Sequence, residues 1–99
     1  MIPTIEPATL DSSVEVHRLG RRPKGWSGWV SGLAPSGDHS IAWSELERRL
    51  LEMGIVEGAR VELMHEGPIG RDPIAVRVDD TTVALRRRDA DVILVTAAE

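Results

Sequence analysis

The sequence predicts a mainly β protein: a small barrel of about five short strands, with one short α-helix inserted after the first barrel strand. Short runs of alternating apolar and polar residues recur along the 99 residues, separated by turn residues. Only one segment has the periodicity of an amphipathic helix, whereas an open α/β sheet would need a helix after each strand. A chain of this length has room for one domain.

The N-terminal region predicts an arm followed by a short strand. Residues 1–13 contain two prolines and little periodicity, which indicates a flexible arm preceding a single domain at residues 14–99. Val14 and Val16 alternate with polar residues and predict a short edge strand. This strand ends before the loop GRRPKG at residues 20–25.

The segment WSGWVSGLA at residues 26–34 predicts the first barrel strand. Its glycines indicate a bend or the close approach of another backbone, as small barrels require. We expect Trp29 and Leu33 to anchor this strand in the core, and Trp26 and Trp43 to be partly exposed. Tryptophan is frequent at interface hot spots, but a core role is favoured in a chain that has no Phe or Tyr.

One helix is predicted after the turn cluster APSGDHS at residues 34–40. Ser44 and Glu47 have capping-box spacing, and a start at Ser40 is the alternative. Gly54 stands where a residue in the left-handed conformation would end the helix. Between these limits, one apolar stripe at helical spacing consists of Leu46, Leu50 and Met53.

The C-terminal half predicts four further strands. Glu57-Gly58 has the composition of a type II turn, in which glycine supplies the positive φ. Asp79-Asp80 predicts a two-residue hairpin turn. The run DVILV is nearly all apolar and predicts a buried strand that closes the sheet. The four predicted strands occupy residues 59–66, 74–78, 81–87 and 91–95.

The segment GPIGRDP at residues 67–73 contains glycines but lacks the G-K-[ST] ending of a phosphate-binding loop. Pro68 and Pro73 fix φ and remove hydrogen-bond donors, which predicts a stiff, protruding loop with Ile69 at its tip. Preorganisation of this kind lowers the ordering cost of binding and suits a docking loop. A stiff connection that binds nothing is the equally weighted alternative.

Composition excludes several classes of function. A net charge of −4 argues against a general nucleic-acid binder, and the basic runs at residues 18–24 and 86–88 are interpreted as solvated faces rather than as an anion site. The absence of cysteine excludes disulfides and thiolate metal sites. No apolar run is long enough to span a bilayer, and no secretory signal is present, so we expect a cytoplasmic protein.

Neither an enzyme nor a metal site is favoured by the sequence. No serine lies in a G-x-S-x-G elbow. The histidines at positions 17, 39 and 65 are dispersed, and Asp38 and Glu66 are the nearest candidate carboxylate ligands. Asp38-His39 could form half of a divalent metal site, completed by Glu45 or by a second subunit. Exposed loop histidines are the favoured interpretation.

Several motifs together resemble the FeoA family of small proteins that accompany the ferrous iron transporter FeoB. They are LLEMGIVEG followed by ARVEL, then PIGRDPIAV, then ALRRRDADVILV, and they extend from about Ser44 to Val95. The resemblance implies an SH3-like barrel and a non-catalytic accessory role in iron(II) uptake. It further implies contact with the cytoplasmic GTP-binding region of FeoB, hence peripheral association with the inner membrane. We expect no cofactor other than a divalent metal ion in the alternative below, and the net charge predicts no nucleic-acid partner.

The resemblance also indicates which residues would contact a partner. They are Leu50 and Met53 at the end of the helix, and Pro68, Ile69 and Asp72 in the loop. The longer N-terminal part and Trp43 depart from the compact family pattern and could form a homodimer interface. The alternative function is a metal-responsive module that dimerises around divalent ions through His39.

Overall fold

The computed structural model describes residues 15–37 and 41–98, and in this part of the chain six strands form one antiparallel sheet. Their order in the sheet is β1-β6-β2-β3-β4-β5. The strands are β1 (Val16–Arg18), β2 (Ser27–Leu33), β3 (Arg60–Ile69), β4 (Asp72–Val78), β5 (Thr81–Leu85) and β6 (Ile93–Ala97). The helices are α1 (Trp43–Glu52) and α2 (Arg87–Ala90), and a 3-10 turn occupies Leu19–Arg21.

This architecture confirms the predicted mainly β fold with a helix after the first barrel strand, β2. The short edge strand is confirmed as β1, which pairs only with β6. The predicted arm at residues 1–13 lies outside the described residues, and the assignment of residues 14–99 to a single domain stays a prediction. Within the described ranges, no helix is long and apolar enough to cross a membrane.

The core lies on one face of the sheet because alternate residues of each strand point to it. Along β3, Val61 and Leu63 are buried, and along β4 the buried positions are Ile74, Val76 and Val78. The last strand completes this face because β6 lies between β1 and β2. The buried core as a whole consists of Leu19, Val30, Leu46, Leu50, Ile55, Ala59, Val61, Leu63, Ile74, Val76, Val78, Leu85, Ala90, Val92, Ile93 and Val95.

Helix α1 begins earlier than the capping-box prediction placed it. The N-cap is Ala42, whose backbone is extended and whose side chain forms no capping hydrogen bond. Ser44 therefore lies inside the first turn, so the predicted box with Glu47 is wrong. The predicted apolar stripe is confirmed, since Leu46 and Leu50 are buried and Met53 packs against the core.

The C-terminal end of α1 is a Schellman motif, as the position of Gly54 predicted. Gly54 has φ 90°, its N–H donates to Leu51 O at 3.0 Å, and the N–H of Ile55 donates to Leu50 O at 3.0 Å. Buried Leu50 and Ile55 supply the apolar contact that accompanies this motif. The next turn is also confirmed, because Gly58 has φ 92° and Ala59 N–H donates to Val56 O at 3.0 Å.

The outer face of α1 carries a cluster of ion pairs. Glu45 accepts hydrogen bonds from Arg48 at 2.6 Å and from Arg49 at 3.1 Å, and Arg48 also donates to Glu52 at 2.8 Å. The bond from Arg48, followed by that from Arg49, lowers the pKa of Glu45, and the bond to Glu45 raises the pKa of Arg48. Because solvent screens this cluster, it adds little to stability.

The predicted burial of Trp29 in β2 is wrong, whereas Trp26 and Trp43 are partly exposed, as expected. In β2 the positions that face the core are Gly28 and Val30. Because successive residues of a strand point to opposite faces, Trp29 between them points outward and is 43% exposed. The guanidinium of Arg60 covers its ring at 5.4 Å. Trp26 packs against the core instead, in space that a Cβ atom at Gly28 would occupy.

The C-terminal strands also differ from the prediction. β5 ends at Leu85, two residues before the expected end, and β6 begins at Ile93 rather than at residue 91. The intervening residues form α2, where the N–H of Ala90 donates to Arg86 O at 3.0 Å. A short helix here was not visible in the sequence because its one apolar residue, Ala90, gives no periodic pattern.

Candidate functional site

The β3–β4 hairpin has a tighter tip than the sequence predicted. Ile69 pairs with Asp72, and only Gly70 and Arg71 lie between the strands. Both of these residues have positive φ, 65° and 60°, as a type I′ turn requires. The expected loop at residues 67–73 is therefore mostly strand, with a turn of two residues at its end.

Ile69 lies at this tip and is 84% exposed. Pro68 beside it is also exposed. A bulge between Glu66 and Ile69 inserts one extra residue into β3, which re-aims the side chains that follow it. A Cβ atom at Gly67 would collide with Asp72 O, so the two strands approach closely there. The hairpin therefore presents the aliphatic side chain of Ile69 to solvent, and the two strands that flank the tip are closely packed.

Asp72 has a different role from the exposed loop residue that was expected. It is half-buried, and its Oδ1 accepts a hydrogen bond from the backbone N–H of Arg87 at 2.8 Å. Arg87 is the first residue of α2, and the N-cap residue Arg86 provides no side-chain cap. Asp72 therefore supplies, from β4, an acceptor for one of the N–H groups that the first turn of α2 leaves without a partner inside the helix.

The side chain of Arg87 joins three distant segments. Its Nε donates to Arg71 O at 2.9 Å, and its Nη1 donates to Gly20 O and Arg22 O, each at 3.0 Å. Its Nη2 donates to Glu66 Oε2 at 2.9 Å, and the side chains of this ion pair are only 19% and 22% exposed. The planar guanidinium thus fixes the hairpin tip against the 3-10 turn.

Asp91 forms a second junction at the other end of α2. Its carboxylate accepts from Arg21 Nε at 2.9 Å, from Arg21 Nη2 at 3.1 Å and from Ser36 Oγ at 2.9 Å. Arg18 Nη1 donates to the backbone carbonyl of Asp91 at 2.9 Å. The two basic runs interpreted as separate solvated faces therefore meet around α2.

The five predicted partner-binding residues do not form one surface. Leu50 is 1% exposed and belongs to the core, and Met53 is half-buried against it. The helix end lies near Val78, since a Cβ atom at Gly54 would stand 3.8 Å from Val78 Cγ1. Val78 and Asp72 are the opposite ends of β4, about 20 Å apart at the usual rise of about 3.3 Å per residue.

The described residues gather no metal-ligand cluster. No group of three or more His, Cys, Asp or Glu side chains lies together within residues 15–37 and 41–98. Glu66 binds Arg87 and Glu45 binds the arginines of α1. His65 is exposed, and His17 contacts the edge of Trp26 with ring centroids 6.3 Å apart. Asp38 and His39 lie outside the described residues.

Sequence reasoning missed Arg87, the residue on which this end of the molecule depends. It stands between two exposed arginines in the run Arg86–Arg88, and nothing in the local sequence separates it from them. Gly20 offered an indirect signal, because its lack of a Cβ atom leaves room for the backbone carbonyl of Arg87. A glycine beside a basic residue is too common to identify such a contact.

The six-stranded antiparallel sheet, with its helix after β2, defines a small SH3-like domain. A model of the FeoA domain matches residues 17–97, and the chain belongs to the FeoA family. This finding confirms the resemblance seen in the sequence motifs. A search of curated proteins gave no match.

Solved structures of FeoA proteins share the fold. A FeoA-like protein from Clostridium acetobutylicum is 28% identical with a TM-score of 0.71, and the match covers 86% of this chain and 90% of that one. FeoA of Stenotrophomonas maltophilia was solved in complex with zinc and is described as a prokaryotic SH3 domain protein. It is 32% identical with a TM-score of 0.62, and the match covers 78% of this chain and 86% of that one. FeoA of Chlorobium tepidum is 26% identical with a TM-score of 0.68, and the match covers 83% of this chain and 70% of that one.

Proposed function

We propose that this chain is a non-catalytic accessory protein of bacterial ferrous iron uptake that binds the cytoplasmic GTP-binding region of a FeoB-type transporter. Family membership supports this role. The Stenotrophomonas maltophilia FeoA, which is 32% identical, has been described as a possible activating factor of bacterial ferrous iron transport. In this proposal the protein works in the cytoplasm, at the inner membrane, where its partner places it.

The observation that carries the proposal is the exposure of Ile69 at the tip of the β3–β4 hairpin. An isoleucine that is 84% exposed leaves apolar surface in water, and burying such a side chain against a partner contributes about 1.5–3 kcal/mol. The positive-φ turn, the bulge and the Arg87 contacts hold the hairpin in one conformation. Little ordering entropy is therefore lost on binding.

Pro68 and Ile69 form the proposed contact surface, and of the other predicted residues only Asp72 supports it from behind. Asp72 holds α2 through the backbone of Arg87. Leu50 and Met53 belong to the far end of the domain, where Leu51 and Val56 are the exposed apolar residues, each 46% exposed. The proposed surface does not include that end, so Leu51 can serve as a control position.

The test is iron(II) uptake by cells that lack this chain and are complemented with its variants. Wild type and Ile69→Val should restore uptake, because valine keeps the apolar surface, whereas Ile69→Asp should not. Leu51→Asp, an equally drastic change at the far end, should restore it. Full restoration by Ile69→Asp at equal abundance would refute the proposed surface.

Met53→Asp is a poor probe of the helix end, because Met53 packs against the core and a buried carboxylate would destabilise the fold. Leu51→Asp is therefore the variant used at the helix end.

The alternative function, a metal-responsive dimerising module, is supported by the zinc in the Stenotrophomonas maltophilia structure. Among residues 15–37 and 41–98, no ligand cluster matches it.

A further inference from the structure

An open cavity of about 310 Å³ lies behind the hairpin tip, between the 3-10 turn and α2. It is lined by residues 20–23, Gly70, Arg71 and Arg87. Four of these seven residues are arginines and none is acidic. The volume is at the lower end of the range of small-molecule sites, which is about 300–1,000 Å³.

The positive charge of this cavity is only partly compensated. Arg21 is paired with Asp91, and Arg87 is paired with Glu66. Arg22 and Arg71 form no ion pair with any acidic side chain that the structure describes. In a chain whose net charge is −4, two uncompensated guanidinium groups at one cavity are a local excess that favours an anion.

Arg22 provides a second, independent observation. Its Nε is shielded from solvent and has no hydrogen-bond partner among the described residues. A buried donor without an acceptor is costly and rare in folded proteins. An oxyanion held in the cavity would offset the charge of this guanidinium, for which the described residues provide no acidic partner.

The walls of the cavity are held in place before any ligand arrives. The carbonyls of Gly20, Arg22 and Arg71 all accept hydrogen bonds from the Arg87 guanidinium, so the 3-10 turn and the hairpin tip keep a fixed distance. These bonds and the bond to Glu66 use four of the five N–H groups of Arg87. Arg87 builds the site, and Arg22 and Arg71 are left to bind.

We propose that this arginine-lined cavity binds a phosphate group, either free or carried by a small molecule. The guanidinium groups come from three separate segments around the cavity. A tetrahedral phosphate offers oxygens in several directions to donors arranged in this way, whereas a carboxylate offers two oxygens in one plane. The proposal is independent of the role in iron uptake, because binding is measured on this chain alone.

The test is titration of the ¹⁵N-labelled protein with inorganic phosphate at low salt, because salt screens charge-assisted contacts. Phosphate should give saturable amide shifts at residues 20–22, Gly70 and Arg71. Acetate at the same ionic strength should not. Pyrophosphate and a nucleoside diphosphate are titrated in a second series. Binding tighter than that of phosphate would show that the site binds a phosphate group of a small molecule. Weaker binding would show that it binds the free ion.

Two variants and one control complete the experiment. Arg22→Gln and Arg71→Gly should each weaken phosphate binding about tenfold, in line with the loss of one charge-assisted hydrogen bond. Arg71→Gly keeps the fold because Arg71 has φ 60°, a conformation that glycine adopts freely. Arg77→Gln removes an exposed arginine of β4 outside the cavity and should leave affinity within about twofold.

Three results would overturn the proposal. The first is the absence of saturable shifts at the cavity amides. The second is acetate binding as tight as phosphate binding. The third is an equal loss of affinity in Arg77→Gln and in the two cavity variants.

Discussion

The guanidinium of Arg87 lies 2.9 Å from the carboxylate of Glu66, and both side chains are about four-fifths buried. This ion pair links the N-terminus of α2 to the bulged part of β3, just before the hairpin tip. Three further N–H groups of Arg87 bind backbone carbonyls of two other segments. The position of Ile69 in space therefore depends on a residue 18 positions later in the chain.

Replacing Arg87 by methionine should destabilise the fold by about 2–4 kcal/mol. Methionine keeps the aliphatic stem but leaves Glu66 buried without a partner and three carbonyls without a donor. Urea unfolding gives the free energy. Arg88→Met is the matched control, since Arg88 is exposed on the same helix and should change stability by less than about 0.5 kcal/mol. Equal losses in both variants would contradict the role assigned to Arg87.

Gly54→Ala should cost about 1–2 kcal/mol, because Gly54 ends α1 with φ 90° and a Cβ atom makes that conformation unfavourable. Gly32→Ala is the control: Gly32 does not have a left-handed φ, and a Cβ atom there would meet nothing within 4 Å. That change should be neutral or slightly stabilising. Thermal unfolding followed by circular dichroism separates the two, and a neutral Gly54→Ala would show that the helix end is not set by this cap.

Trp26→Ala should destabilise the protein more than Trp29→Ala, although both remove an indole from the same segment of chain. Trp26 packs against the core, so its loss should cost about 2–3 kcal/mol. Trp29 contacts the Arg60 guanidinium at the surface, an interaction of about 0.5–1 kcal/mol. Chemical denaturation followed by circular dichroism measures both losses, and the reverse order would contradict the inward orientation of Trp26.

The parts of the fold that local sequence determines were predictable. The Schellman end of α1 depends on Gly54 and on apolar residues within five positions of it, and the type II turn at Glu57-Gly58 depends on one glycine. The outward orientation of Trp29 was not predictable from the local sequence pattern. In β2 the inward position next to Trp29 is occupied by Gly28, so hydrophobicity alone assigns the two faces of the strand wrongly.

The candidate site was predictable only in part. Ile69 was identified because prolines and glycines mark its segment as a shaped connection. Met53 lies near one end of β4 and Ile69 near the other. The sequence alone does not show at which end of this strand the helix lies. The function of Arg87 depends on acceptors at residues 20, 22, 66 and 71, and no local signal relates these residues to one another.

The proposed binding of the hairpin tip to the GTP-binding region of the transporter can be measured by calorimetric titration of that purified region with this chain. We expect that wild type binds and that Ile69→Asp binds at least about tenfold more weakly. Val16→Asp, a change at an apolar residue of β1 that is 55% exposed, should bind within about twofold of wild type. Equal affinity of folded Ile69→Asp and wild type, or no binding by wild type, would show that the hairpin tip is not the contact surface.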